Sequence, residues 1–253
     1  MKIITWNCRK GKLQEKYKLI QRLRPDILVV QEADEADLPG MTGRVWIPPS
    51  SKNKHHGLAI YTFNQFSLQK INNWTNHWGL YLPVKICKDK KHICNVVGYW
   101  TKPKKVGETD YMSGFIEAMT KYSNFIKSKP TIVAGDLNCL HGLGDYPEIL
   151  SITERLGLIS AYYEYKKIEI GSERYVSESS YYHYCNKPTD KHGKPFLLDH
   201  IFIPLIWRRR LKLVQIGTKA IDIAREENNS VRSDHRPVIA KIDLTFDLDN
   251  DVL

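Results

Sequence analysis

Asn7 follows the run IITW, Glu32 closes ILVVQE, and Asp136 and Asn138 end TIVAGDLN. Asp199 interrupts the apolar run FLLDHIFI, while Asp234 and His235 stand just before PVIAKI. Each polar residue therefore sits where a strand-like segment runs out. Loops at strand ends are anchored by the sheet below, so they can hold reacting groups in place. Carboxylates and an amide converging there would form an oxygen-rich site, the donor set that suits Mg²⁺ or Mn²⁺. The Cys and His clusters of a zinc site are missing from the sequence. Taken singly, each residue has a plain structural alternative. Asn7 can cap a turn, Glu32 can end its strand, GDLN can be an Asp/Gly/Asn turn, and SDHRP can lead into a proline-headed strand. Asp199 is harder to dismiss, because a charge within so apolar a run needs a compensating partner.

The elements that would position these groups are legible in the apolar pattern. KIITW reads as a strand, and residues 12–24 read as a surface helix, with Leu13, Tyr17, Ile20 and Leu23 three or four apart. Pro25 stops it, and ILVVQ follows as a strand of β-branched residues. Further strands are expected at 58–63, 80–86 and 92–97, with Pro83 making the second irregular or placing it at a sheet edge. Residues 111–126 carry a helical apolar stripe (Met112, Phe115, Met119, Tyr122 and Ile126 among it) that reads as a core face. TIVAG is a buried strand, and 147–156 a short helix ended by Gly157. Residues 162–195, with seven tyrosines, read mostly as loop, with a possible strand at SYYHY. FLLDHIFI, LKLVQIG and PVIAKIDLTF complete the strands, and the acidic LDLDNDVL end is expected to fray.

The expected fold class is a layered α/β domain with more strands than helices, a single domain over residues 1–253. The 253 residues, 42% hydrophobic and 26% charged, can supply such a core, and no linker or repeat divides them. The 38 Lys and Arg against 28 Asp and Glu leave a net +10, which points to a polyanionic partner: nucleic acid, a phosphorylated small molecule or an anionic surface. No apolar run reaches the roughly 18 residues of a membrane span. The amino terminus turns charged before a signal-length core accumulates. Five cysteines, an odd number without CxxC spacing, favour a reducing compartment, so a cytoplasmic location is expected. Nothing in the sequence sets the oligomeric state, and a monomer is the default.

The ordered set TWN, QE, GDLN, LDHIF and SDHRP resembles the endonuclease/exonuclease/phosphatase superfamily over nearly the whole chain. The resemblance implies a four-layer sandwich: two face-to-face mixed β-sheets flanked by helices, with the active site at one end. It implies that Glu32 is the principal metal ligand, with Asn7 beside it and Asp234 contributing to the metal environment. Asp136 resembles the residue that orients or deprotonates the attacking water, and Asn138 the one that holds a phosphate oxygen or the nucleophile. His235 resembles the histidine on the scissile phosphate, Asp199 the carboxylate paired with it, and Tyr99 the Tyr or His placed against the phosphate. Arg9 departs from the Asp that many abasic-site nucleases carry two residues after the first Asn. His200, where Tyr is common, reads as a packing group. Cys8 and Cys139 flank motif residues and are expected to make the protein oxidation-sensitive.

The resemblance, with the positive charge, implies a Mg²⁺- or Mn²⁺-dependent nuclease acting on a nucleic-acid substrate, DNA versus RNA unresolved. A phosphatase or phosphodiesterase acting on a small phosphorylated molecule or lipid head group is the alternative, and a catalytically inactive nucleic-acid-binding protein another. Arg208–Arg210, the Lys102–Lys105 region and the tyrosines of 162–184 are the candidate substrate contacts outside the motifs.

Overall fold

The computed structural model describes residues 1–49, 56–71, 79–102, 111–138, 146–168, 180, 197–217 and 233–245. Two mixed six-stranded sheets form the frame. The first contains β1 (Lys2–Asn7), β2 (Ile27–Ala33), β3 (Met41–Ile47), β4 (Gly57–Phe63), β11 (Leu211–Ile216) and β12 (Val238–Ile242), in the order β11-β12-β1-β2-β4-β3. The second contains β5 (Phe66–Lys70), β6 (Gly79–Lys88), β7 (Lys91–Thr101), β8 (Thr131–Asp136), β9 (Leu158–Ser160) and β10 (Asp199–Pro204), in the order β5-β6-β7-β8-β10-β9. β1 pairs with β2, and β7 with β8, in parallel; the other pairs are antiparallel.

Strand alternation sorts the side chains into layers. Ile3, Ile27, Val29, Leu58 and Ile60 turn inward from the first sheet, whereas Ile4, Trp6, Leu28, Val30 and Tyr61 turn outward. The outward set is covered by Leu13 of α1 (Leu13–Lys16) and by Tyr17 and Ile20 of the tight turns that follow. On the second sheet, a Cβ built on Gly98 would lie 3.0 Å from Val29 and 3.1 Å from Ile60, so Gly98 and its face-mates turn inward. The opposite face carries Tyr99 and Phe202, which meet Phe115 of α2 (Met112–Lys121). The chain is thus a four-layer α/β sandwich. Burying each large aliphatic or aromatic side chain stabilises it by about 1.5–3 kcal/mol.

Most expected elements are present, and the differences have local causes. Residues 12–24 form one α-turn followed by 3₁₀ turns at Tyr17–Leu19 and Gln21–Leu23, not a continuous helix. Lys16, expected on a solvated face, is 3% exposed, and its ammonium is bonded to the Cys8 and Arg9 carbonyls, which draws the segment onto the sheet. The stripe at 111–126 is a core face, but it breaks at Tyr122 into α2 and α3 (Ser123–Ser128). Pro83 lies in a strand with a neighbour on each side. The β5 ladder ends at Lys70–Val84, one residue before it, so β6 is locally an edge where the proline's missing N–H falls. The helix at 147–156 is α4 (Tyr146–Arg155), with Gly157 left-handed after it. The tyrosine-rich stretch opens in α5 (Ala161–Lys166) instead of a loop. SYYHY beyond Ser180, and the acidic end, lie outside the described residues.

Two glycines test this packing. A Cβ on Gly135 would stand 1.9 Å from the Tyr99 carbonyl oxygen, whereas one on Gly98 would meet only side-chain atoms at 3.0–3.2 Å. Gly98→Ala should cost about 1–3 kcal/mol in urea unfolding. Gly135→Ala should cost more, because backbone has to move. Equal losses would show that β7 and β8 are not packed as described.

Candidate active site at the Asn7 end of the sandwich

β1, β2, β8 and β10 bring their polar termini together at one end of the sandwich. Asn7 ends β1 on the inward face and is 1% exposed. Its Nδ2 donates to Glu32 Oε1 at 3.2 Å and to Asp136 Oδ2 at 2.9 Å, so one carboxamide joins a carboxylate from each sheet. Beneath it, Thr5 and Gln31 are fully buried and hydrogen-bonded to each other at 3.0 Å, continuing the polar seam into the core.

Simple alternation would send Glu32 outward with Val30 and Leu28. Instead the β2–β4 register shifts between Gln31 and Ala33, and Glu32 takes φ 54. This bulge re-aims its carboxylate toward Asn7. Arg9, Lys10, Gly11 and Lys12 all have positive φ, a conformation costing L-residues about 1–2 kcal/mol each. The turn is held because its N–H groups meet the site. Arg9 N donates to Asn7 Oδ1 at 3.0 Å, Lys10 N to Glu32 Oε2 at 2.9 Å, and Gly11 N to the Glu32 carbonyl at 2.8 Å. The Lys16 ammonium ties down its carbonyl side.

Asp136 ends β8, directly opposite Asp199 at the start of β10. Asn138, itself at φ 51, donates its N–H to Asp136 Oδ1 at 2.9 Å and its Nδ2 to Oδ2 at 3.3 Å. His235 Nδ1 lies 2.8 Å from Asp199 Oδ2, both residues being buried. Ser233 holds this histidine by accepting its N–H at 2.9 Å and donating to the Asn7 carbonyl. Ser180 Oγ accepts the N–H groups of Leu198 and Asp199 at 2.9 and 3.1 Å. One ligand atom each from Asp136, Asp199 and His235 lies within 4.8 Å of the others, a possible metal-holding group.

Of the sequence-predicted residues, Asn7, Glu32, Asp136, Asn138, Asp199 and His235 are linked in these contacts. Asp234 sits beside them but turns its carboxylate to the Arg9 guanidinium at 3.4 Å. Tyr99 makes no hydrogen bond to them, although it lies within electrostatic reach of Asp199 and Asp136. It is fully buried on the other face of β7, edge-on to Phe115, with its hydroxyl 3.4 Å from the His200 carbonyl. The register pairs Trp100, not Tyr99, with Asp136, so Trp100 is the residue of this strand on the site's face. A one-residue difference along a strand reverses the face. His200 packs, stacked on Phe202 with Nε2 on the Leu197 carbonyl, as its position implied. Cys8 is fully buried and its thiol is pushed up to about 12 by burial, so it stays protonated; Cys139 lies outside the described residues.

The candidate substrate contacts also sort out. Arg208–Arg210 follow Pro204, the end of β10 remote from Asp199 and about 16 Å away along the strand. Arg208 is paired with Glu164 at 2.8 Å and Arg210 is buried. Tyr162 and Tyr163 are buried in edge-to-face contact, leaving neither ring free to stack on a base. Trp100, Ser180, Ser233 and Lys16 were not singled out for the site by the sequence. The alternation of β7, phased on Asp136, carried a signal for Trp100, and Ser233 heads the SDHRP motif.

Burial pushes the Asp136 carboxyl up to about 7; His235 and the Asn7 and Asn138 hydrogen bonds oppose that rise, and Asp199 adds to it. Burial alone would lower the His235 imidazole, but the charges of Asp199 and Asp136 outweigh it and raise it to about 10. A histidine raised above its ordinary 6.5 contributes stability that is full below 6.5 and lost as pH rises through 10. In metal-free protein, the destabilisation caused by His235→Gln in urea unfolding should therefore be largest at pH 6 and shrink toward pH 10. A loss independent of pH would mean that the Asp199–His235 pair is neutral.

The profile of the Endonuclease/Exonuclease/phosphatase family matches residues 4–235. Among solved structures, the endonuclease domain of TRAS1, a telomere-specific non-LTR retrotransposon, matches with a TM-score of 0.66 at 16% identity, covering 97% of this chain and 99% of that one. An AP endonuclease from Archaeoglobus fulgidus matches with a TM-score of 0.65 at 15% identity, covering 96% and 100%. A 3′ phosphatase, NExo, from Neisseria, bound to a product DNA hairpin, matches with a TM-score of 0.61 at 18% identity, covering 96% and 99%. At these identities the likeness is one of fold. A comparison with curated protein sequences finds no match. Among the described residues no helix is long and apolar enough to cross a membrane. Because the family profile runs from β1 to His235, taking in every strand end that builds the site, the chain belongs to the Endonuclease/Exonuclease/phosphatase family.

Proposed function

We propose that this chain, taken as one domain over residues 1–253, is a divalent-metal-dependent phosphodiester hydrolase acting on nucleic acid. The observation that carries the reading is the Asn7 carboxamide holding Glu32 beside Asp136, with the buried Asp199–His235 pair against the same carboxylate. The net charge of +10 supports a polyanionic substrate.

The residues fit a hard metal ion. Glu32 and Asp136 present carboxylate oxygens that the Asn7 amide holds together, and the raised pKa of Asp136 marks a buried carboxylate short of compensating positive charge. Asp199 Oδ1 is buried without a hydrogen-bond partner among the described residues. Within the Asp136–Asp199–His235 group, however, Asp199 is engaged with a histidine that holds its proton, so that pair serves better as a phosphate donor than as a ligand set. Glu32 is therefore the proposed principal ligand, with Asn7 and Asp136 beside it and Asp234 reaching the site through Arg9. When bound, Mg²⁺ or Mn²⁺ would neutralise phosphate oxygens and the charge of the departing alkoxide.

The chain's own groups supply the rest. Asp136, poised near neutrality and fixed by Asn7 and Asn138, accepts the proton of the attacking water. Asn138 Nδ2 donates to the Thr101 carbonyl as well as to Asp136, which keeps the GDLN turn in place under the substrate. Asp199 holds His235 protonated through Nδ1, and the imidazolium would act as a charge-assisted donor to a phosphate oxygen.

A panel of plasmid, linear and single-stranded DNA, RNA and phosphomonoesters tests this reading. Cleavage of a polynucleotide should require Mg²⁺ or Mn²⁺, stop on chelation, and fall about 10²–10⁴-fold in Asp136→Asn. Hydrolysis that survives complete chelation sinks the assignment, and release of inorganic phosphate from monoesters alone moves the substrate to a small phosphorylated molecule. On the active substrate, kcat/KM should rise with pH to a limb at or below about 7, as Asp136 loses its proton, and fall near 10, as His235 does. A rate that falls already above pH 6.5 would contradict a protonated His235.

A further inference from the structure

The face of β7 that looks into the site carries an aromatic ring and a cation that the mechanism above does not use. Trp100 is register-paired with Asp136 and therefore lies one strand over, about 4.8 Å away in backbone spacing, on the same side of the sheet. Its side chain is 8% exposed. Two residues on, past the end of β7, Lys102 returns its ammonium over that ring, 3.8 Å from the centroid. Such a contact holds a normally mobile lysine head in one place. Burial lowers the Lys102 pKa and the charge of Glu32 opposes that, which places the ammonium within the electrostatic reach of the proposed metal ligand.

Three described cations at this end, Lys16, Arg9 and Lys10, are engaged or solvated. Lys16 is bonded to the Cys8 and Arg9 carbonyls, Arg9 is paired with Asp234, and Lys10 is exposed. Lys102 forms no ion pair among the described residues. A half-buried, ring-seated ammonium within electrostatic reach of Glu32, with no salt-bridge partner among the described residues, is poised for an anion that arrives with the substrate.

We propose that Lys102, seated on the Trp100 indole, is a substrate-binding residue that takes a non-bridging phosphate oxygen of a nucleic-acid strand at the mouth of the site. The assignment rests on the nuclease reading and adds to it the group that engages the strand. Trp100 is its positioning residue: the ring fixes the ammonium and is itself too buried to serve as a base-stacking platform.

The test compares wild type, Lys102→Met and Lys102→Arg, each also carrying Asp136→Asn for the binding arm. Fluorescence anisotropy with a labelled single-stranded DNA 12-mer, and the matching RNA and duplex, gives affinity across a salt series. Lys102→Met should weaken binding about 5–10-fold and reduce the slope of log affinity against log salt by about 0.7 for single strands or 0.9 for duplex. Lys102→Arg should keep that slope. In the Asp136-intact proteins, Lys102→Met should raise KM with kcat within about twofold. Unchanged affinity and slope in Lys102→Met, or equal losses in Lys102→Met and Lys102→Arg, overturn the proposal, as does a wild type that binds none of the three probes. If wild type hydrolyses no phosphoester while the lysine-dependent slope is present, the hydrolase reading falls and the Lys102 contact stands.

Discussion

One carboxamide joins the two sheets where the chemistry is proposed. Glu32 and Asp136 come from different sheets, and two carboxylates brought to one end of the sandwich repel each other unless something bridges them. Asn7 donates one N–H₂ group to both at 3.2 and 2.9 Å. An amide does this without adding a charge of its own, so each carboxylate keeps acceptor capacity for a cation or a water. A lysine at this position would neutralise the site, and an aspartate would repel both partners. The Glu32 bulge, the left-handed Arg9–Lys12 turn and the buried Lys16 all converge on holding this amide and its partners in one geometry.

The second constraint is the burial of opposite charges. Asp136, Asp199 and His235 are all nearly inaccessible, and two buried carboxylates are costly unless compensated. The imidazolium supplies part of that compensation, which explains why its proton is held so tightly and why Asp136 is left near neutrality. Ser180 and Ser233 fix the backbone on both sides of the pair without contributing charge. The result is an acidic cluster in a protein whose net charge is +10. The Arg208–Arg210 run adds positive charge away from this cluster, at the remote end of β10, with Arg208 paired to Glu164 and Arg210 buried.

Much of this was legible before the fold. Asn7, Glu32, Asp136, Asn138, Asp199 and His235 each end or begin an apolar run, so the pattern that makes the strands also marks the residues at their tips. The strands not expected from the pattern, β3, β5 and β9, are all sheet edges. Edge strands bury less, so their alternation is weak. Tyr99 turned on phase: the sequence shows a strand carrying both Tyr and Trp, but which one faces Asp136 depends on the parallel register with β8. The same holds for Glu32, whose inward aim comes from a bulge visible only once β4 is paired. Ser180 is one of several serines in a polar, tyrosine-rich stretch, and its role arises from a tertiary contact that local pattern does not mark.

The central claim is that Asn7 holds Glu32 and Asp136 in a metal-competent arrangement. Calorimetric titration of Mn²⁺ into wild type and Asn7→Ala tests it most directly, with urea unfolding confirming that both are folded. Asn7→Ala should bind Mn²⁺ about 10–100-fold more weakly while remaining folded. A folded Asn7→Ala that binds Mn²⁺ as tightly as wild type would contradict it.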